Sequence, residues 1–418
     1  MHIKKQTYRR RIGAVVAVLC GLAVLAAVIW CGVFNQPTHD ALDKSAQEAV
    51  KQEPYPVSLR SNALFFGNMY WGRYINDWSM KSPLKTAYPF SRLNEFNRDA
   101  YDAWITGLEC PTVAGFSQTS AEEDETLSFN CSPDYLPEAA KWFTAVTLAN
   151  NHTDNRGEAG FVETKQHLEE NGIQYFGHYD PYLAEEACEV VAFPVTVTYS
   201  DATTRKQNAP MAFCGFHGVF KIPPAETIQQ IARYAKLMPV IAMPHMGVEY
   251  EPAPDQLKTS IYRSLIDAGA DVVLGDHPHW IQTTEAYKGK LIVYSMGNFM
   301  FDQQMGSEVT RSAAISVDIN TTNATDTSST DGNDAARQNL KKWLSVGDSC
   351  AVFKDACLEQ AEKLKLSKLS LTFDFGVIGT NDSDKIVKPA TETQQQSILS
   401  RLNWSTTISG LQYPYSGH

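Results

Sequence analysis

The chain has 418 residues, 43% of them hydrophobic, and a net charge of −11. That is enough apolar material for a sizeable core, and the acidity argues against a nucleic-acid binder, which needs a basic face. Residues 1–34 carry Lys4, Lys5, Arg9, Arg10 and Arg11 and no acid, so removing their +5 leaves −16 on the rest, which also disfavours an anionic lipid surface.

Residues 12–34 contain no charge and are mostly Ala, Val, Leu and Ile. Such a run is long enough to span a bilayer as a helix. The basic residues 1–11 precede it, which keeps the amino terminus in the cytoplasm. A cleaved signal peptide would have a shorter apolar core ending in small residues. Here the core ends in Ile29-Trp30-Cys31, so the expectation is an uncleaved anchor with the remainder outside. Residues 35–57 are polar with scattered Pro and read as a stalk.

A repeating pattern follows. Short apolar runs, ALFF (63–66), AWIT (103–106), AVTLA (145–149), PVIAM (239–243), DVVLG (271–275) and LIVYS (291–295), end in polar or glycine-rich turns. Helical stretches lie at 157–172, 225–238 and 255–269. Gly172 and Gly269 suit helix C-terminal caps, and Asp255 suits an N-cap. Strands of about five apolar residues alternating with helices predict a layered α/β domain. Its core is expected at 58–317. Residues 318–338 are Thr, Asn, Asp, Ser and Gly with almost nothing apolar, which reads as a flexible insertion. Residues 339–418 then complete the domain, with a short helix in ARQNLKKWLSV (336–346) and a strand or hairpin in LSLTFDFGVIG (369–379).

Eight cysteines are present. Cys20 and Cys31 lie in the apolar run. Cys110, Cys131, Cys188, Cys214, Cys350 and Cys357 would face an oxidising space. Neighbours in sequence are the simplest pairing, but six cysteines allow many connectivities, and six buried thiols are the alternative. None sits in a C-x-x-C pair, which argues against a zinc knuckle.

The strand ends carry the chemistry. In an open α/β sheet, ligands bind outside the carboxyl ends of the strands. ALFF runs into Gly67-Asn68, and AWIT into Gly107-Leu108-Glu109. AVTLA runs into Asn150-Asn151-His152-Thr153-Asp154, and PVIAM into Pro244-His245 with Glu249 just beyond. DVVLG runs into Asp276-His277-Pro278-His279, and LIVYS into Met296-Gly297-Asn298. Of ten histidines, His152, His245, His277 and His279 sit at these ends. Imidazole, carboxylate and amide oxygen together suit Zn, Mn or Fe. Two such ions about 3.5–4 Å apart could clamp a phosphoryl oxygen and activate water. Singly, each group has a plainer use. Asn150 and Asn151 suit a turn, Asp154 suits a helix cap, and Glu249 suits a solvated loop. Their conjunction at strand ends carries the argument.

The segments GNMYWGR (67–73), GLECP (107–111), LANNHTDNRGEAG (148–160), HMGVEY (245–250), GADVVLGDHPHWIQ (269–282) and YSMGNFMFD (294–302) resemble, in order, the CapA-type proteins of bacterial poly-γ-glutamate capsule synthesis. These are related in fold to calcineurin-like metallophosphoesterases. The resemblance implies a four-layer α/β/β/α sandwich of metallophosphoesterase type behind a single N-terminal transmembrane helix. It implies a single-pass cell-membrane protein whose main domain is extracytoplasmic. Its partners would be an anionic envelope polymer or its precursor and other membrane-bound capsule-synthesis proteins.

By position, the resemblance implies a catalytic set of His152, Asp154 and Glu109, with the Asp154 carboxylate orienting the imidazole. It implies metal ligands Asn68, Glu109, Asn151, His245, His277 and His279, for one or two divalent ions. Arg73, Glu249, Gln282 and Asn298 would meet substrate, although an internal ion pair is an equal use for Arg73. Two departures matter. The family's first block usually reads Gly-Asp where this chain has Gly67-Asn68, and its second Asn-Leu-Glu where this chain has Gly107. Both weaken the same half of the site. The expected activity is metal-dependent hydrolysis or transfer of the polymer. The alternatives are a non-catalytic assembly or polymer-binding subunit with a degenerate site, and a phosphoesterase acting on envelope phosphate esters.

Overall fold

An aromatic run that is buried on both faces needs a partner layer on each side, and ALFF (63–66) is wholly buried. The computed structural model supplies both layers. It describes residues 53–322, 330–351 and 356–418. The basic segment, the apolar run and most of the stalk lie outside the described residues. Among the described residues no helix is long and apolar enough to cross a membrane.

In chain order the first half comprises β1 (Pro56–Met69), α1 (Arg73–Lys81), β2 (Ala103–Leu108), α2 (Ser120–Thr126), α3 (Leu136–Ala139), β3 (Ala145–Thr147), α4 (Gly157–Glu170), β4 (Gln174–Phe176), β5 (Cys188–Tyr199) and β6 (Thr204–Gly218). Next come α5 (Ala225–Ala235), β7 (Val240–Met246), α6 (Gln256–Ala268), β8 (Val272–Leu274), β9 (Gln282–Tyr287), β10 (Lys290–Ser295), β11 (Asn298–Met300) and β12 (Arg311–Thr321). The chain closes with α7 (Thr330–Cys350), α8 (Cys357–Lys363), β13 (Leu371–Asn381), β14 (Lys388–Pro389), α9 (Glu392–Leu402), α10 (Trp404–Ser409) and β15 (Tyr415–Gly417).

Strand β1 is the seam. Its first part pairs antiparallel with β5 and its last part parallel with β2. Along the other edge it pairs with β12 and then β11. One arm continues β2-β3-β4, all parallel. The other runs β5-β6-β7-β8-β10-β9, parallel from β6 through β10. The result is a mixed α/β domain. Residues alternate faces along β1. Ala63 and Phe65 join Ala103, Ile105, Phe176, Phe193 and Phe213 in one cluster, which helices α5 and α6 complete with Ile231 and Leu265. Leu64 and Phe66 join Trp104, Val146, Leu148 and Phe299 in a second. At the end of β1 a side chain has no room. A Cβ on Gly67 would lie 1.8 Å from the Gly297 carbonyl oxygen, which accepts from the Asn68 amide at 3.1 Å.

The strand–helix alternation matches the sequence reading, and Asp255 caps α6 by accepting from the Lys258 amide. The cysteines pair as sequence neighbours: Cys110 with Cys131, Cys188 with Cys214, and Cys350 with Cys357. Three readings change. Pro56 and Val57, read as stalk, belong to β1. The insertion expected over 318–338 is narrower, since residues 318–321 finish β12 against β13 and α7 begins at Thr330. Cross-strand pairing and the burial of Leu340, Trp343 and Leu344 override the polar composition there. The long β5–β6 hairpin was absent from the list of apolar runs.

Phe213 packs against Phe65, Phe176 and Phe193 at centroid distances of 6.2, 5.2 and 5.7 Å. Phe213→Ala should cost about 3–5 kcal/mol of stability, read as a lowered midpoint in thermal denaturation of the full chain.

Candidate metal centre

Strands β1, β2, β3, β7, β8 and β10 end on one rim, because parallel pairing within each arm and the shared seam β1 point them the same way. Local turn chemistry then aims the side chains. Asn150 forms the turn after β3: its Oδ1 accepts from the amides of His152 and Thr153 at 3.0 Å each, and its Nδ2 donates to the Leu108 carbonyl at 2.7 Å. That leaves Asn151 and His152 free to face the rim. After β8 the chain turns through His277 and His279, both with positive φ, 94° and 60°. Left-handed backbone costs a non-glycine residue energy and clusters at functional sites.

Four ligand groups converge. His245 Nε2 lies 2.9 Å from Asn151 Oδ1, 3.1 Å from His277 Nδ1 and 3.7 Å from Glu109 Oε1. Glu109, His245 and His277 offer ligand atoms all within 4.8 Å of one another. All are buried, and both Glu109 carboxylate oxygens lack a hydrogen-bond partner. Burial pushes the Glu109 carboxyl well up, and the neighbouring Asp276 and Glu249 carboxylates add to it. Burial pushes His245 and His277 well down, so both imidazoles are neutral. One proton on His245 Nε2 can serve one acceptor, yet three surround it. A cation bound by lone pairs resolves that conflict, and a set of two imidazoles, a carboxylate and an amide oxygen is one that divalent transition metals accept. The residues present therefore fit a metal ion.

His279, Asn68 and Asn298 form a separate group. His279 Nδ1 lies 2.7 Å from Asn298 Oδ1 and 3.1 Å from Asn68 Nδ2, and Asn68 Nδ2 reaches Asn298 Oδ1 at 3.3 Å. Tyr250 stacks on the His279 ring at 5.6 Å. Burial brings His279 down to about 4. His279 Nδ1 can serve only one of the two amides, and Asn68 Oδ1 is buried without a partner, so this second cluster also leaves ligand-type groups unsatisfied.

His152 is likewise pushed down to about 4 by burial, and its ring stacks on Phe129 at 4.0 Å. The partner of its Nδ1 is Asn155 Oδ1, at 2.9 Å. That oxygen also accepts from the Phe129 amide at 2.8 Å, so it is an acceptor and His152 Nδ1 carries the proton. Nε2 keeps its lone pair. Asp154, expected to orient this imidazole, is exposed, because the turn through residues 153–156 directs it outward. It does not cap helix α4 either, whose N-cap has no side-chain hydrogen bond.

The residues assigned to substrate separate similarly. Arg73 is committed internally: Nε and Nη2 donate to Asp302 at 2.8 and 2.6 Å, and Nη1 to Asp124 at 3.1 Å. This is the structural ion pair that the sequence allowed as the equal use of Arg73. Gln282 accepts from Lys258 Nζ at 3.0 Å and donates to the Glu251 carbonyl at 3.0 Å. Asn298 holds His279 and donates to Gln303 at 3.0 Å. Glu249 stays exposed at the rim.

Three residues were missed as site candidates. Asp276 is buried with both carboxylate oxygens unpartnered. Lys258 is buried on α6, its amine lowered to about 7 by burial. His217 ends β6 in register with His245, and its Nε2 is unpartnered. Asp276 could have been found, since it stands inside the same strand-end run as His277 and His279. Lys258 and His217 gave no local signal.

A buried group of two imidazoles, a carboxylate and an amide that could hold a cation lies on the rim of this α/β domain. Residues 62–303, more than half of the chain, match the bacterial capsule synthesis protein PGA_cap family, and the chain belongs to it. It is similar to the capsule biosynthesis protein CapA of Bacillus anthracis, 24% identical over 269 residues, covering 59% of this chain and 62% of that one. It thus spans less than two thirds of that relative. The PGA biosynthesis protein CapA of Bacillus subtilis (strain 168) is 22% identical over 329 residues, 75% of this chain and 78% of the relative.

Two outcomes follow from the local geometry. Asp302→Ala leaves the buried Arg73 guanidinium with only the exposed Asp124 carboxylate, and should cost about 3 kcal/mol in a denaturation experiment. Asn155→Ala should let His152 populate both tautomers, read from imidazole ¹⁵N shifts; unchanged shifts would contradict the assigned proton position.

Proposed function

We propose that this is a membrane-anchored, extracytoplasmic CapA-like protein of capsule or envelope polymer biosynthesis, which hydrolyses or transfers an anionic polymer of poly-γ-glutamate type. Family membership and the names of the two Bacillus relatives support the capsule role. The uncharged residues 12–34 behind five basic ones support the anchor. Three disulfides support an oxidising compartment outside the cytoplasm. Two sheet arms with apolar clusters on alternate faces of β1 support the four-layer sandwich of metallophosphoesterase type. Other membrane-bound capsule-synthesis proteins are the expected partners.

One observation carries the catalytic reading: a buried Glu109 carboxylate without a donor, facing His245, His277 and Asn151. These four groups would hold one Mn, Fe or Zn ion, which when bound supplies Lewis acidity toward a carbonyl or phosphoryl oxygen. His152 Nε2, with Nδ1 fixed by Asn155, is placed to take a proton from the attacking group. Glu249, exposed at the rim, would meet the substrate's polar groups. A second reading, a polymer-binding subunit with a degenerate centre, draws on the neutral Asn68 and its contacts with His279 and Asn298.

Elemental analysis of the purified full chain should find about one equivalent of Mn, Fe or Zn, with Glu109→Gln and His245→Ala losing most of it and Asp154→Asn keeping it. A folded protein that takes up no metal would sink the catalytic reading. Shortening of poly-γ-glutamate chains by the loaded protein, abolished in His152→Ala, would separate the enzyme from the binding subunit.

A further inference from the structure

Tyr250 takes no part in the four-ligand cluster, yet its hydroxyl ends a chain of hydrogen bonds whose direction is fixed throughout. The fixed point is a backbone group. The Val309 carbonyl oxygen can only accept, so the end of the Asn298 side chain 3.3 Å from it is Nδ2. The same Nδ2 donates to Gln303 Oε1 at 3.0 Å. Asn298 Oδ1 is left to face His279 Nδ1 at 2.7 Å and accept its proton. In the other direction Gln303 has its oxygen engaged, so its Nε2 meets the Tyr250 hydroxyl oxygen, at 2.9 Å. An amide N–H can only donate there. The Tyr250 oxygen accepts, and its own proton is turned away from Gln303.

The ring that carries this hydroxyl is held in place. It stacks on His279 at 5.6 Å and meets the edge of Trp280 at 6.4 Å. The Tyr250 amide donates to the Pro278 carbonyl at 2.8 Å, which fastens the loop after β7 to the turn through His277 and His279. The backbone at Tyr250 is left-handed, with φ 59°. That conformation costs a tyrosine energy and persists where the surroundings enforce it. Tyr250 is only half-buried, and Glu249 before it is exposed. A directed hydroxyl donor thus stands at the rim, with the Glu249 carboxylate as its neighbour.

We propose that Tyr250 is a specificity-determining residue for the polymer: its hydroxyl donates a hydrogen bond to a main-chain amide carbonyl of the γ-glutamyl chain. This rests on the polymer reading above. The acceptor is a carbonyl rather than one of the polymer's carboxylates, because the Glu249 carboxylate repels a second anion at this position. A phosphate ester would meet the same repulsion. A neutral carbonyl takes the proton without that cost. Asn298 then serves two ends at once, holding His279 on one side and, through Gln303, orienting Tyr250 on the other.

The test is binding of a fluorescently labelled γ-glutamyl oligomer to the full chain, read by anisotropy. Polyacrylate of similar length, which has the carboxylates but no amide, is the comparison. Tyr250→Phe keeps the ring and removes only the donor. It should bind the oligomer about 3- to 10-fold more weakly and polyacrylate as the wild type does. Gln303→Glu puts an acceptor where Nε2 was and turns the Tyr250 proton inward. It should lower the ratio of oligomer to polyacrylate affinity by the same factor, and the double variant should lower it no further. If Gln303→Glu does not fold, as judged by circular dichroism, Tyr250→Phe decides. Where the oligomer is cut, the loss in Tyr250→Phe should appear in KM, with kcat little changed. Unchanged oligomer affinity in Tyr250→Phe, or an equal loss for both polymers, would overturn the proposal. A wild type that binds neither polymer would remove the polymer reading, and the proposal with it.

Discussion

A carboxylate removed from water and given no hydrogen-bond donor must be met by positive charge or take up a proton. Glu109 is in that position, and the organisation of the rim follows from it. Imidazoles kept neutral by burial bring lone pairs to the same point, as does the Asn151 amide oxygen. None of these groups satisfies another. A solvated carboxylate could sit on any loop. A dry one requires a rigid frame that excludes water and fixes its neighbours.

The frame is the seam strand and what closes over it. Strand β1 belongs to both arms of the sheet, so strand ends on either arm hold fixed positions relative to one another. Glu109 is followed directly by Cys110, whose disulfide to Cys131 closes the loop that carries Phe129. Phe129 then takes His152 on one contact and the Arg73 guanidinium on another, at 4.0 and 4.6 Å. The Arg73–Asp302 pair thereby supports the histidine wall from behind Phe129. Strain sits at the opposite side, in the left-handed backbone of His277 and His279, where packing enforces it.

The two clusters of the rim differ in composition. Glu109, Asn151, His245 and His277 leave acceptors facing one another, whereas Asn68, His279 and Asn298 carry no carboxylate and contact one another with Asn68 Oδ1 left unpartnered. Replacing a carboxylate by an amide at position 68 turns a charged ligand into one that can donate as well as accept. The Asp276 carboxylate then lies beside the space that Gly107 leaves open.

Periodicity and turn residues in the sequence determined the strand–helix alternation and the rim on which the polar blocks gather, and the six motif segments in order carried the resemblance to the family. Asn-Asn-His after an apolar run and His-Pro-His after another are local features, and local backbone turns keep them local. Tertiary structure alone decided who meets whom. His152 turns to Asn155 rather than Asp154, because the turn directs the aspartate to solvent while the Phe129 amide fixes the asparagine. Arg73 is taken by Asp302, 229 residues away. Lys258 reads locally as an ordinary helix lysine, and His217 as one more strand residue. Spacing along a chain sets the face on which a side chain stands. Burial, charge balance and long-range contacts set its partner, and these exist only once the strands have paired.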